Sequence, residues 1–254
     1  MKWKFNIKKE LKIGTAFLIV STLIAFTDGR QGDTVCKNIV IELDNIHENH
    51  FMDEADVMKL VENSGQTIKG KNIKYIDLKS IEKKIMKDKH ILNAELYSDL
   101  KGNLIVNVEL RRPIARIVQE NAPDAYIAED GVVMSVSEKY TSRVLLISGS
   151  FVKRFMEDED LNKSDEGKQI MQMIEFINAD RFWKAQIAQM DVNSEGKINI
   201  YPQITGQRVE FGKPENFEVK FRKLMVFYKE ILPQRGWTKY ERVNLEYEGQ
   251  VVAE

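Results

Sequence analysis

"NLIVNVELRRPIARI", Asn103–Ile117, decides how this chain divides. Leu104, Val106, Val108 and Leu110 alternate as one face of a strand. Two arginines follow, then Pro113, and "IARIVQ" restarts extended structure. A proline offers no ladder N–H and keeps the residue before it extended. Arg111 and Arg112 therefore either serve an anion or mark a seam. An anion site would want converging backbone donors, and no glycine-rich loop lies nearby. The expectation is an interdomain seam at Glu109, Arg111, Arg112 and Pro113.

Upstream of that seam, "CKNIVIELDN" reads as a strand with Ile39 and Ile41 on one side. "MDEADVMKLVEN" reads as a helix capped by Asp53, with Val57, Leu60 and Val61 as its apolar stripe. "YIDLKSIEKKIMKD" is a second helix, capped by Asp77, with Leu78, Ile81 and Ile85 on one face. "HILNAELYSDL" turns Leu92, Ala94 and Leu96 inward, "KGN" makes the turn, and "LIVNVEL" returns. Residues 37–112 thus form a strand-helix-helix-strand-strand domain.

Downstream, residues 113–254 read as a second, mainly antiparallel β domain with two helices. "DAYIAEDGVVMSVS" carries a hairpin turn at Asp130-Gly131. "TSRVLLISG" is a central strand, and three short strands follow between Ile187 and Gly212. The helices are "EGKQIMQMIEFIN" and "NFEVKFRKLMVFYKEILPQ", the latter ended by Pro233. The fold class expected is α+β.

Before all this, Lys2, Lys4, Lys8, Lys9 and Lys12 precede the uncharged run Ile13–Phe26. The run is shorter than the usual span of about 17–25 residues, but Lys12 can snorkel. A retained anchor, a cleaved signal peptide and a packed helix all fit. The expectation adopted is a basic cytoplasmic tail at 1–12, a transmembrane anchor at 13–27 and a linker at 28–36. That would place the bulk of the chain across the inner membrane, on its periplasmic side.

The chemistry is sparse. A net charge of -1 argues against a dedicated nucleic-acid binder. Cys36 is the only cysteine, so neither an internal disulfide nor a thiolate cluster is available. His47 and His50 in "HENH" lack a third ligand, and His90 has no evident partner. "DEDLNKSDEG", from Asp158, alternates oxygen ligands but puts Lys163 where a calcium loop needs glycine. Ser148-Gly149-Ser150 lacks the frame of a nucleophile elbow. The expectation is a non-enzymatic protein without cofactor, metal or small-molecule substrate. What remains is sheet edge. "YERVNLEYEGQVVAE" alternates Val243, Leu245 and Tyr247, turns at Glu248-Gly249, and ends in Val251 and Val252. An edge strand can accept a strand from another chain.

This order of parts resembles the FtsQ/DivIB family of bacterial cell-division proteins, with a POTRA domain before a C-terminal β domain. The sharpest local likenesses are Glu109, Arg111, Arg112, Pro113 and Ala115 to the family's Glu-Arg-x-Pro-x-Ala, and Glu129, Asp130, Gly131 and Val132 to its Asp-x-x-Gly-Val. "YERVNLEYEGQVV" is similar to the family's closing strand, with Asn244 for its aspartate and Glu246 for its arginine. The resemblance implies a scaffold at the division septum. Its partners would be single-pass coiled-coil proteins of the FtsB and FtsL kind, and through them septal peptidoglycan synthases. It further implies strand addition at the last strands, with Tyr240, Val243, Asn244, Leu245, Tyr247, Val251 and Val252 as contacts. The alternative is another POTRA-containing envelope-assembly protein or a peptidoglycan-associated structural module.

Overall fold

The computed structural model describes residues 14–22, 34–44, 50–204 and 206–254. Helix α1 (residues 14–22) covers part of the run Ile13–Phe26, and Phe17, Leu18, Ile19 and Val20 are exposed on it. Ile13, residues 23–27, the basic tail 1–12, residues 28–33 and His47 lie outside the described residues. At 1.5 Å per residue, α1 rises about 13 Å against a hydrocarbon core of about 30 Å. Among the described residues, no helix is long and apolar enough to cross a membrane. That corrects the expected transmembrane anchor at 13–27, and the single-pass inner-membrane placement built on it.

Two compact units divide the rest between Glu109 and Leu110, with residues 50–52 assigned to the second. In the first, β1 (Asn38–Asp44), β2 (Ile91–Ser98) and β3 (Asn103–Leu110) lie in the order β1-β3-β2. β1 runs parallel to β3, with Ile39 beside Leu104 and Ile41 beside Val106. Helix α2 (Glu54–Glu62) starts at a reciprocal capping box: the Asp56 amide donates to Asp53 Oδ1 at 3.0 Å, and the Asp53 amide to Asp56 Oδ2 at 3.2 Å. Such a cap contributes about 1 kcal/mol. Helix α3 (Leu78–Ile85) starts where Asp77 accepts from the Ser80 amide at 3.0 Å. Val57, Val61, Ile81 and Ile85 are buried, as are Leu104, Val106 and Val108. Strand β2 departs from the expected alternation: Ile91 is buried and Leu92 is exposed. The Ile91 amide still donates to Asp88 O in the turn leaving α3, so regular alternation starts only at Ala94. The turn after β2 is held by Asp99, which accepts from the amides of Lys101 and Asn103 at 2.8 and 2.7 Å. Those bonds, that of Asn103 first, keep its carboxyl below the usual aspartate range.

The second unit is a mixed nine-stranded sheet. Its strands are β4 (Pro113–Ile117), β5 (Ala125–Ala128), β6 (Val133–Ser135), β7 (Leu145–Ser148), β8 (Ile187–Val192), β9 (Ile198–Pro202), β10 (Arg208–Gly212), β11 (Arg242–Asn244) and β12 (Val252–Ala253). They lie in the order β12-β11-β10-β9-β8-β7-β4-β5-β6. The pairs β4–β7, β7–β8 and β10–β11 are parallel. Parallel neighbours need long crossovers, usually helical. That requirement corrects the expectation of two helices: the described part of the unit has four helical stretches. Between β7 and β8 run α4 (Val152–Asp158), α5 (Asp165–Ala179) and α6 (Arg181–Gln186). Between β10 and β11 runs a continuous stretch: α7 (Phe217–Val226), a π-helical turn (Phe227–Ile231) and α8 (Leu232–Arg235). Pro233 does not end this helix. It sits in the first turn of α8, where the wide π turn absorbs its missing donor.

One face of the sheet carries the core. Ile117, Ile147, Met190, Ile200, Val209, Phe211 and Val243 pack in one cluster with Ile174, Trp183 and Phe221 from the helices. The other face carries a small apolar cluster of Phe51, Tyr126, Ala128 and Met134 at its β5–β6 end, and polar side chains in rows along the rest. Gln189 Nε2 donates to Ser148 Oγ at 2.7 Å, and Ser148 Oγ to Asp191 at 2.8 Å. Asn244 Nδ2 donates to Glu210 at 2.8 Å.

Candidate interaction edge

A nine-stranded open sheet has two edges, and their unpaired backbone groups have to be managed. At β6, the Val133 amide donates to Glu159 O at 2.9 Å, and the Leu161 amide donates to Gly131 O at 3.0 Å. Val132 and Asp160 form a bridge, and Asn162 Nδ2 donates to Asp130 O at 2.8 Å. Leu161 is fully buried and pins this strap into the core. Gly131 lies at φ +87°, and a Cβ there would fall 2.2 Å from Asn162 Nδ2. The "DEDLNKSDEG" stretch is therefore an edge cover. Asp160 and Ser164 spend their side chains on the amides of Asn162 and Gly167.

The β12 edge is different. β12 pairs antiparallel with β11, Val243 opposite Ala253 and Asn244 opposite Val252. The Glu254 amide donates to Arg242 O at 2.9 Å, and the Arg242 amide to Glu254 O at 3.1 Å. By antiparallel alternation, the N–H and C=O of Ala253 then point away from β11. Beyond β12 no further strand lies among the described residues.

The expected contact residues divide by face. Val243 and Leu245 are fully buried, so their side chains belong to the core. Tyr240, Val251 and Ala253 are half-buried against that core, and the Tyr240 ring lies 5.7 Å from that of Phe227. Asn244 and Val252 share the polar face, while Tyr247 is 52% exposed in the loop between β11 and β12. Sequence reasoning missed Lys223 of α7. Its Nζ donates to Leu245 O at 3.1 Å, Tyr247 O at 2.8 Å and Gln250 O at 3.2 Å, closing that loop like a clasp. One turn earlier, Lys220 holds Phe211 O and Lys213 O, and burial pulls its pKa below the usual lysine value. Two lysines three residues apart on one helix were the only signal available.

A second missed feature is a cleft of about 970 Å³ beside the starts of β10 and β11, lined by Arg208, Trp237, Tyr240, Arg242 and Glu254. Trp237 is 44% exposed and stacks on Tyr228, whose hydroxyl is pushed up to about 12 by burial. Arg242 donates to Glu254 at 2.8 Å, a bond that holds its guanidinium above the usual value.

The seam residues sit as follows. Arg111 pairs with Asp130 at 2.8 Å, and Arg112 O accepts from the Glu129 amide. Pro113 opens β4 opposite Ala128 beside a register shift, where a missing donor is tolerated. Among the described residues, no group of three or more His, Cys, Asp or Glu could hold a metal. His90 pairs with Asp88 at 2.9 Å, and His50 packs edge-on against Tyr140.

The described residues thus form a β-α-α-β-β unit followed by a nine-stranded sheet whose β6 edge is covered by a strap and whose β12 edge has no further strand among the described residues. Residues 112–254 match the family described as FtsQ/DivIB, C-terminal related, and residues 34–109 match the POTRA-like domain. The chain belongs to the FtsQ/DivIB family, whose members are structural and non-catalytic. A comparison with curated proteins gives no match.

Proposed function

We propose that this protein is a division scaffold that accepts a strand from a coiled-coil partner of the FtsB or FtsL kind along β12. Through that partner it is linked to septal peptidoglycan synthesis. The observation that carries this reading is the asymmetry of the sheet: β6 is covered by its own chain, and β12 is presented on a clasped loop. The incoming strand bonds to the outward groups of Ala253 and Val251. Val252 and Asn244 meet its side chains on one face; Tyr240 and Tyr247 flank it. Val243 and Leu245 contribute by fixing β11. The stretch Glu109–Pro113 carries the chain from the first unit into the second, where Arg111 and Arg112 are tied to the β5–β6 turn.

The test uses the full chain and a purified coiled-coil partner from the same cell. Ala253→Pro removes one outward donor and leaves the bonds to β11 in place. The expected result is at least about tenfold weaker binding at unchanged thermal stability, with Tyr247→Glu weaker by a smaller factor. Undiminished binding by the proline variant would sink strand addition at this edge.

A further inference from the structure

We propose that a second docking site, distinct from the β12 edge, lies in the cationic cleft at the start of β4, β7 and β8, and that its ligand is an acidic segment of a partner protein. The cleft encloses about 680 Å³ and is lined by Arg112, Arg143, Lys184 and Glu129 over a floor that includes Leu145 and Ile187. That volume falls within the range of sites that hold ligands. Arg116 also lines it, but its guanidinium is committed to Asp124, at 2.6 and 2.9 Å. Arg143 and Lys184 are exposed and have no ion-pair partner among the described residues. Glu129 is the only carboxylate in the lining. In a chain with a net charge of -1, that is a local excess of positive charge.

The lining selects the ligand. A phosphate cradle is built from converging backbone N–H groups, and here the charge comes from long side chains around an apolar floor. The matching partner offers carboxylates on either side of an apolar residue, which an acidic peptide does. The floor is rigid. Leu145 and Ile187 are buried in the unit's core cluster, and Asn178 Nδ2 donates to Ile114 O at 3.1 Å, fixing α5 against β4. The cleft is also remote from the other site. β8 is four strand positions from β12, about 19 Å, so both sites can be filled together.

The experiment titrates full-length protein into the fluorescein-labelled peptide Glu-Asp-Leu-Phe-Glu-Asp and follows anisotropy. A Lys-Lys-Leu-Phe-Lys-Lys peptide and vesicles of anionic phosphatidylglycerol form the other arms. Binding of the acidic peptide is expected to weaken with salt. It is expected to be about tenfold weaker for the Arg143→Glu, Lys184→Glu double variant. Arg143→Gln is expected to give a smaller loss at unchanged circular dichroism. Equal binding by wild type and double variant overturns the proposal. So does a preference for the basic peptide, or binding to the vesicles with none to the acidic peptide.

Discussion

At one end of the nine-stranded sheet, three residues of the strap, Glu159–Leu161, bond to β6 and its turn; at the other, β12 pairs with β11 and has no further strand beyond it among the described residues. Both ends are short strands of similar composition. The difference is what the neighbouring loop was built to do. The strap after α4 is anchored by a buried leucine and lies across the backbone of residues 131–133. The loop before β12 is held from behind, through carbonyls that Lys223 collects on the helix side, and among the described residues no strand lies on the outer edge. Covering an edge prevents unwanted pairing, and leaving one uncovered invites a chosen partner.

The comparison can be broken from either end. Leu161→Ala should have the largest effect, a loss of about 3 kcal/mol, from an emptied core position that also unpins the strap. Denaturant unfolding measures the loss, and hydrogen exchange at Val133 should rise with it. If exchange there is unchanged, the strap does not depend on its anchor. Gly131→Val should cost about 2–3 kcal/mol, because a β-branched residue is forced to positive φ against Asn162. It should also promote association through the uncovered β6 edge, visible by light scattering. Lys223→Met should cost about 1.5 kcal/mol. Exchange should then speed up in residues 245–250 while the β6 end stays protected; equal loosening at both ends would show that the clasp is not local. Ala253→Pro should change stability least, by under about 0.5 kcal/mol, because it removes only an outward donor. Its effect should appear almost wholly in partner binding.

Much of the fold was legible along the chain. Helices α2 and α3 announced themselves through Asp53 and Asp77 followed by apolar residues at helical spacing, and the caps form at those residues. The Asp130-Gly131 turn and the strands β4 to β10 were readable from alternation and glycine. Helices α4 and α6 were not. The first buries little more than Val152 and Phe155, and the second is too short for a period to show. Pro233 misled in the opposite direction, because a π turn has no sequence signature strong enough to outweigh a proline. The apolar run Ile13–Phe26 suggested a span, yet the described helix within it is too short to cross a membrane.

The candidate site was only half legible. Alternation placed Val243, Leu245 and Tyr247 on one face of one strand. In the fold β11 stops at Asn244, Leu245 turns into the core, and Tyr247 leaves for the solvent. The sequence by itself determined which residues alternate, where helices can start, where the chain can turn, and that Pro113 interrupts the strand pattern. Those are local properties, set by side-chain period, caps and the torsional limits of proline and glycine. Only the tertiary structure decided that a strap covers β6 while no strand lies beyond β12 among the described residues, that Lys223 reaches three carbonyls more than twenty residues away, and that Arg112, Arg143 and Lys184 share one cleft. Those depend on strand order and crossover connections, which bring together residues whose separation along the chain carries no record of their contact.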